Sequence, residues 1–306
     1  MSDKLDTTQE LLVELLNETR EIRRLLARQC QSLESLECHT RENSPPEVAE
    51  RVAAARQEQW DHFRVRHERI DPAQQPLVDK LEKRGLAFKN FGADDLPSGP
   101  ADEIAESLAE NYDLVASFLK ALVHAHGTKT GFSHSTKNLS TTALAATIRL
   151  ARTLEHYGMV RTMNLTKHQI HIEPLCGERI ELFLSGGWLE RVVHNLITRL
   201  RPDAWCSQKI LANIRCRNTA GETFEFDLLV PISEGKFVCL DSKTGSLAQS
   251  KGTIARNSHV LGLPRKYNFV VVPFLDPNKI TAWQKSLTCA TVIPYAALEK
   301  TLITLS

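Results

Sequence analysis

Two apolar runs at residues 223–245, TFEFDLLVPI and KFVCLDSKTG, carry Asp227, Asp241 and Lys243 among their charged side chains. The runs are rich in Val, Phe and Leu, and Ser233-Glu234-Gly235 separates them, which predicts a β-hairpin. Alternation along a strand puts Glu225, Asp227 and Leu229 on one face and Phe224, Phe226 and Leu228 on the other. On the second strand it groups Phe237, Cys239, Asp241 and Lys243. A carboxylate between Phe226 and Leu228 is costly to bury without a partner, because it loses its hydration. A hairpin that sets Asp227 beside Asp241 and Lys243 removes that difficulty. Two carboxylates then form a hard oxygen site for a divalent cation, with an ammonium in reach, a combination suited to metal-assisted hydrolysis of a phosphodiester.

The elements that must hold these groups are legible from residue 178 onward. Gly186-Gly187-Trp188-Leu189-Glu190 opens a helix whose apolar stripe is Leu189, Val192, Val193, Leu196, Ile197 and Leu200, with Glu190 near its start. A strand is expected at about 209–217, followed by the hairpin. A helix over 246–260, a strand over 267–275, a helix near 281–287, a strand at 291–294 and a terminal helix complete the chain. This order describes a mixed α/β sheet whose central strands are apolar on both faces. Gln249, Lys251 and Arg256, on the helix after the hairpin, are candidate phosphate contacts. From Asp241 to Lys266 five bases (243, 251, 256, 265, 266) stand against one acid, which reads either as a surface for phosphate or as a solvated helix face.

Three segments precede this one. Residues 1–42 carry a heptad pattern with Leu5, Leu12, Thr19, Leu26 and Leu33 at one core position and Thr8, Leu15, Ile22, Gln29 and Leu36 at the other. The reading is a coiled coil that brings copies of the chain together, with a helix packed on its own domain as the alternative. Residues 47–91, after a Pro-containing linker, read as a helical region interrupted at Asp71-Pro72 and Gln75-Pro76. Its run from Trp60 to Arg69 mixes aromatics and bases, as an amphipathic helix or a nucleic-acid contact would. Residues 101–176 read as winged-helix-like: a helix from Asp102 to about His126, a polar loop, a helix over 143–156 capped at Ser140-Thr141-Thr142 and ended by Gly158, then a hairpin turning near 165–167. Such a module reads DNA or serves as a docking spacer; Arg149 and Arg152 are its basic complement. His124, His126 and His134 match no standard zinc spacing and are expected to be structural.

The 306 residues, 42% hydrophobic and 25% charged, describe a globular chain with room for more than one domain. The net charge of +1 points to no polyanionic partner by itself. The seven cysteines include no C-x-x-C pair, and MSDKLDTTQE has neither the basic nor the apolar part of a secretory signal, so a reducing, cytoplasmic setting without a membrane span is expected.

Glu190 on a helix, Asp227 on the next-but-one element and Asp241-x-Lys243 on the following strand resemble the PD-(D/E)xK nuclease superfamily. More narrowly, GGWLE, FEFDLLV and LDSKTG look like the nuclease domain of the CRISPR-ancillary nucleases activated by cyclic oligoadenylate. The resemblance covers residues 178–306. It implies a restriction-endonuclease-like mixed sheet and a metal-dependent endonuclease acting on DNA in preference to RNA. It implies Mg²⁺ or Mn²⁺ held by Asp227, Asp241 and the Ser242 carbonyl, with Glu190 binding through water or at a second metal position and Lys243 acting on the attacking water. Phe226 stands where the superfamily name has proline, and Asp241 where many members have Glu. No βαβ alternation precedes residue 160, so the relatives' nucleotide-sensing domain and their trigger are not carried over. The alternative is a non-catalytic DNA-binding or scaffolding protein on a decayed nuclease fold.

Overall fold

The computed structural model of the chain describes residues 70–91, 99–175, 177–200, 210–233 and 236–305. The coiled coil expected over 1–42, and the part of the 47–91 region that includes Trp60–Arg69, lie outside the described residues.

Helix α1, Gln75–Lys83, has Pro76 in its first turn, where a missing N–H costs no helical bond. It was expected to run on toward Phe88, but Gly85 turns to φ 76°, a backbone region that suits glycine, and the chain re-emerges as strand β1, Leu86–Phe91. Helix α2, Pro100–Thr128, follows. Asp102 sits in its third position, not at its cap, and its Oδ2 accepts the Gly99 N–H at 2.9 Å. The loop expected after α2 contains a short strand, β2, Phe132–Ser135. Helix α3, Thr141–His156, is capped by the Ser140 hydroxyl, which accepts the Ala143 N–H at 3.2 Å. Strands β3, Val160–Leu165, and β4, Gln169–Pro174, form the expected hairpin, and β2 joins it on the other side of β4.

Helix α4, Glu178–Leu182, is followed by a turn, Phe183–Gly187, that kinks at Gly186, whose backbone is not helical, before α5, Trp188–Leu200. Strands β5, Leu211–Asn218, β6, Thr223–Ser233, and β7, Lys236–Ser242, come next, then helix α6, Leu247–Leu261. Strand β8, Asn268–Val272, helix α7, Pro277–Ser286, strand β9, Thr291–Pro294, and helix α8, Tyr295–Ile303, finish the fold.

Among the described residues the larger sheet has the order β1-β5-β6-β7-β8-β9. Pairing is antiparallel from β1 to β7 and parallel across β7, β8 and β9, where α6 and α7 supply the crossovers. Strand β1 makes the sheet one strand wider than residues 178–306 supply. One face packs Leu228, Val230, Val238 and Leu240 against α5 and α8. The same apolar cluster takes in Phe118, Leu122, Leu154 and Ile170, so packing continues into the segment built from α2 to β4. The opposite face is covered by α1, through Leu77, Val78 and Leu81, and by α6 and α7, through Ile254 and Trp283. Phe226 is 1% exposed in the α1 cluster, and truncating such a side chain to alanine costs about 3–5 kcal/mol.

The alternation expected along β6 breaks at Asp227. Phe224, Phe226 and Leu229 share one cluster, while Leu228 and Val230 join the other. The partner strand keeps its register there, from Ile214↔Phe226 to Ala212↔Leu228, but Asn213 between them, facing Asp227, has φ 49° and does not pair in the ladder. A left-handed residue turns the strand locally and moves the next side chain to the other face. Asp227 therefore sits at a kink of the sheet and not within a regular ladder.

Candidate active site

Asp227, Asp241 and Lys243 meet at the end of the β6–β7 hairpin that faces α5. The register Leu228↔Leu240, continued one place, sets Asp227 opposite Asp241. Oδ2 of Asp227 accepts the Ser242 backbone N–H at 2.7 Å and the Lys243 ammonium at 3.2 Å. The same ammonium ion-pairs with Asp241 and donates to the Ser242 carbonyl at 3.0 Å. Lys243 stays in line because its own N–H continues the sheet, donating to Val271 O at 2.9 Å.

The electrostatics follow from burial. Asp241 is 7% exposed, and desolvation followed by the Asp227 charge raises its carboxyl well above the usual range, against the pull of Lys243. The Asp227 carboxyl also lies within hydrogen-bonding reach of Asp241, which further favours the protonated form of Asp241. Burial of Lys243 on its own lowers its affinity for a proton. The two carboxylates outweigh that and hold the ammonium charged far above neutral pH. Glu190 lies in the first turn of α5, and burial, then Asp227, pushes its carboxyl up to about 8.

The position of Glu190 is set by contacts far away in sequence. Asp102 Oδ1 accepts Arg191 Nε at 2.6 Å and Asn195 Nδ2 at 2.8 Å, which fastens α5 to the start of α2. Burial pushes the Asp102 carboxyl up, but its hydrogen bonds from Arg191, Gly99 and Asn195 outweigh this and hold it below the usual range. Trp188 is fully buried and stacks on Tyr112 of α2 at 5.7 Å. On the other side, the Thr244 hydroxyl donates to Ser185 O at 2.6 Å and ties the segment after Lys243 to the turn before Glu190. Neither Asp102 nor Thr244 carries a signal in the sequence, since their partners stand 89 and 59 positions away.

Of the expected phosphate contacts, Gln249 and Lys251 lie exposed on the first turns of α6. Arg256 is engaged elsewhere: its guanidinium covers the Phe224 ring at 5.0 Å and reaches Thr223 O at 3.5 Å. No contact among the described residues joins these three to the carboxylates.

The donor set around Asp227 fits a hard divalent cation. Its groups are all oxygen, from Asp227, Asp241 and the Ser242 carbonyl, and a positive group, the Lys243 ammonium, already bridges them. Among the described residues no three His, Cys, Asp or Glu side chains converge as a complete metal cage. A cation here would take two carboxylates from the chain and fill its remaining positions with the carbonyl, water and phosphate, as Mg²⁺ commonly does.

No family model matches the sequence, and no curated protein matches it. Solved structures do. VC1899 from Vibrio cholerae matches with a TM-score of 0.51 at 16% identity, over 75% of this chain and 60% of that one. Can2 from Sulfobacillus thermosulfidooxidans, solved in complex with cyclic tetra-adenylate, matches with a TM-score of 0.50 at 14% identity, over 74% and 60%. The chain thus spans about 60% of the length of these two neighbours. The matched share of this chain exceeds what residues 178–306 supply, so the likeness in fold extends upstream of α4. Among the described residues no helix is long and apolar enough to cross a membrane.

Proposed function

We propose that this protein is a metal-dependent nuclease of the PD-(D/E)xK type, hydrolysing phosphodiester bonds of DNA in preference to RNA. The observation that carries the reading is the meeting of Asp227, Asp241 and Lys243 around the Ser242 carbonyl, with Glu190 facing them from α5. The fold likeness to a protein solved with cyclic tetra-adenylate agrees with the sequence resemblance to nucleases activated by cyclic oligoadenylates.

Asp227 and Asp241, with the Ser242 carbonyl, would hold Mg²⁺ or Mn²⁺, and Glu190 would reach it through water. When bound, the cation shields phosphate charge and acidifies a coordinated water. Lys243 is positioned by both carboxylates, so its ammonium is fixed before substrate arrives. It donates to the attacking water and to the phosphate oxygen on which charge develops, an interaction worth most in a site that excludes solvent. Burial and the neighbouring carboxylates favour the protonated forms of Glu190 and Asp241, so a cation held here would have to displace protons.

One observation favours the non-catalytic alternative. Lys243 already satisfies both aspartates as an internal ion-pair network, which is a complete structural role. Incubating the full-length protein with plasmid, single-stranded DNA and RNA in Mg²⁺, Mn²⁺ and EDTA separates the two. Cleavage that needs the cation and disappears in Lys243→Ala supports the nuclease; no cleavage of any polymer in either metal removes it.

A further inference from the structure

Gln284, near the end of α7, ties that helix to the edge strand β9. Its Nε2 donates to Leu287 O at 3.3 Å and to Ala290 O at 3.0 Å, and its Oε1 accepts the Val292 N–H at 2.8 Å. The amide thus takes up an N–H of β9 that β8 does not use, which closes this part of the sheet edge to a further strand. Beside it lies a groove of about 460 Å³, lined by Ile280, Thr281 and Lys285 of α7, by Thr288, by Val292 of β9 and by Arg265 from the turn before β8. A volume of that order suits a small molecule.

The groove is positive and has donors to spare. Its lining holds two bases and no acid. Among the described residues neither Arg265 nor Lys285 forms an ion pair, and the hydroxyls of Thr281 and Thr288 make no hydrogen bond. Two cations on one groove repel each other, and a dianion between them removes that cost. A guanidinium fork, an ammonium and two hydroxyls offer more donors than the two oxygens of a carboxylate use; the three terminal oxygens of a phosphate monoester match them better. Ile280 and Val292 supply an apolar wall for whatever carries the phosphate. Both sides are held in advance. The Arg265 carbonyl accepts the Thr291 hydroxyl at 3.3 Å, and Gln284 fixes the end of α7. The lining includes none of Glu190, Asp227, Asp241 or Lys243, and β8 separates Val292 from Asp241, since Val270 pairs with both.

We propose that the groove between α7, β9 and Arg265 binds a small organic phosphate of about mononucleotide size, as a site separate from the carboxylates. Arg265 and Lys285 take the phosphate charge, Thr281 and Thr288 donate to its oxygens, and the organic part lies on Ile280 and Val292.

The test is titration calorimetry of the full-length protein in EDTA. Uridine 5′-monophosphate should bind saturably, and more tightly than uridine or inorganic phosphate. Arg265→Gln/Lys285→Gln should lower its affinity by about tenfold or more, the cost typical of lost charge-assisted hydrogen bonds. Thr281→Val/Thr288→Val keeps both charges and should lower it by about threefold to tenfold. Lys243→Ala, at the carboxylate site, and Lys300→Ala, an exposed base on α8, should change nothing. The four substituted groove side chains are exposed, so melting curves should match wild type, and the single variants carry the test where a double variant melts lower. The proposal is overturned by no saturable binding, by uridine or inorganic phosphate binding as tightly, by groove variants of wild-type affinity, or by equal loss in Lys243→Ala or Lys300→Ala. A 5′-phosphorylated trinucleotide that binds more tightly than the mononucleotide assigns the groove to a strand end and overturns the small-molecule ligand. Chelation keeps cleavage out of the measurement. Absence of binding therefore leaves the nuclease reading standing, and absence of cleavage in metal leaves this site standing.

Discussion

Lys243 and Asp227 are joined twice, once by the ammonium at 3.2 Å from Oδ2 and once through the backbone, where the N–H of the intervening Ser242 donates to that oxygen at 2.7 Å. The carboxylate thus fixes both the strand end and the side chain that follows it. Because the ammonium also pairs with Asp241, one positive group balances two negative ones. The remaining negative charge is offset by a proton on Asp241 or by a cation, and the two cases give different measurements.

Replacing Lys243 with alanine should lower cleavage by about 10²–10³-fold, the cost typical of removing one fixed electrostatic donor. Mn²⁺ affinity, measured by calorimetry at the same pH, should stay within a few-fold, since the ammonium is no metal ligand. Cleavage at the wild-type rate would end the proposed role.

Wild-type protein should melt higher in millimolar Mn²⁺ than in EDTA, because binding to the folded state alone stabilises it by mass action. Asp227→Asn should lose that increment. In EDTA it should be as stable as wild type or more so, since the amide oxygen can still accept the Ser242 N–H while Lys243 keeps Asp241 as its single counter-charge. A purely structural network gives the opposite pattern, with no metal response and a less stable variant.

The pH dependence has a definite sign. Carboxyls raised by folding bind protons in the native state that the unfolded chain has already released. The stability they contribute is complete below the ordinary carboxylate range and is lost as pH rises through about 8, the value to which Glu190 and Asp241 are pushed. In EDTA the melting temperature should fall between pH 5 and 9 by more than in the Asp227→Asn variant. Mn²⁺ should flatten the fall, because it replaces the protons. A melting temperature that rises across this range in EDTA would contradict the assignment.

Asp102 is the far anchor of the helix that carries Glu190. Asp102→Ala removes the carboxylate to which Arg191, whose side chain is 10% exposed, and Asn195 both donate, and should cost about 2–4 kcal/mol of stability. Denaturant titration at constant m-value measures it. A change under ~0.5 kcal/mol would mean the ion pair behaves as a surface pair.

The heptad pattern over residues 3–38 leads us to propose that copies of the chain associate through it. Light scattering should give a multiple of the monomer mass for the full chain and the monomer mass for a chain starting at Glu47. Equal monomeric masses would remove the coiled coil.

The sequence by itself determined the β6–β7 hairpin, α5, α6 and the strands on either side of α7, because long apolar runs and helical stripes are local patterns that tertiary context rarely overrides. It also determined which charged residues had to be accounted for, since an aspartate inside FEFDLLV conflicts with its surroundings. Only the tertiary structure decided three things. Strand β1 was hidden because a six-residue edge strand after a helix has no pattern of its own until Gly85 turns the chain and β5 offers its free edge. The kink at Asp227 arises from Asn213 on the neighbouring strand, and alternation read along one strand cannot register a distortion imposed by another. The placement of Glu190 depends on Asp102, Tyr112 and Thr244, which reach it by hydrogen bonding and packing across distances in sequence that no spacing rule encodes. Residue type shows which chemistry is available, but the distances at which charges repel or a carboxyl keeps its proton exist only in the folded chain.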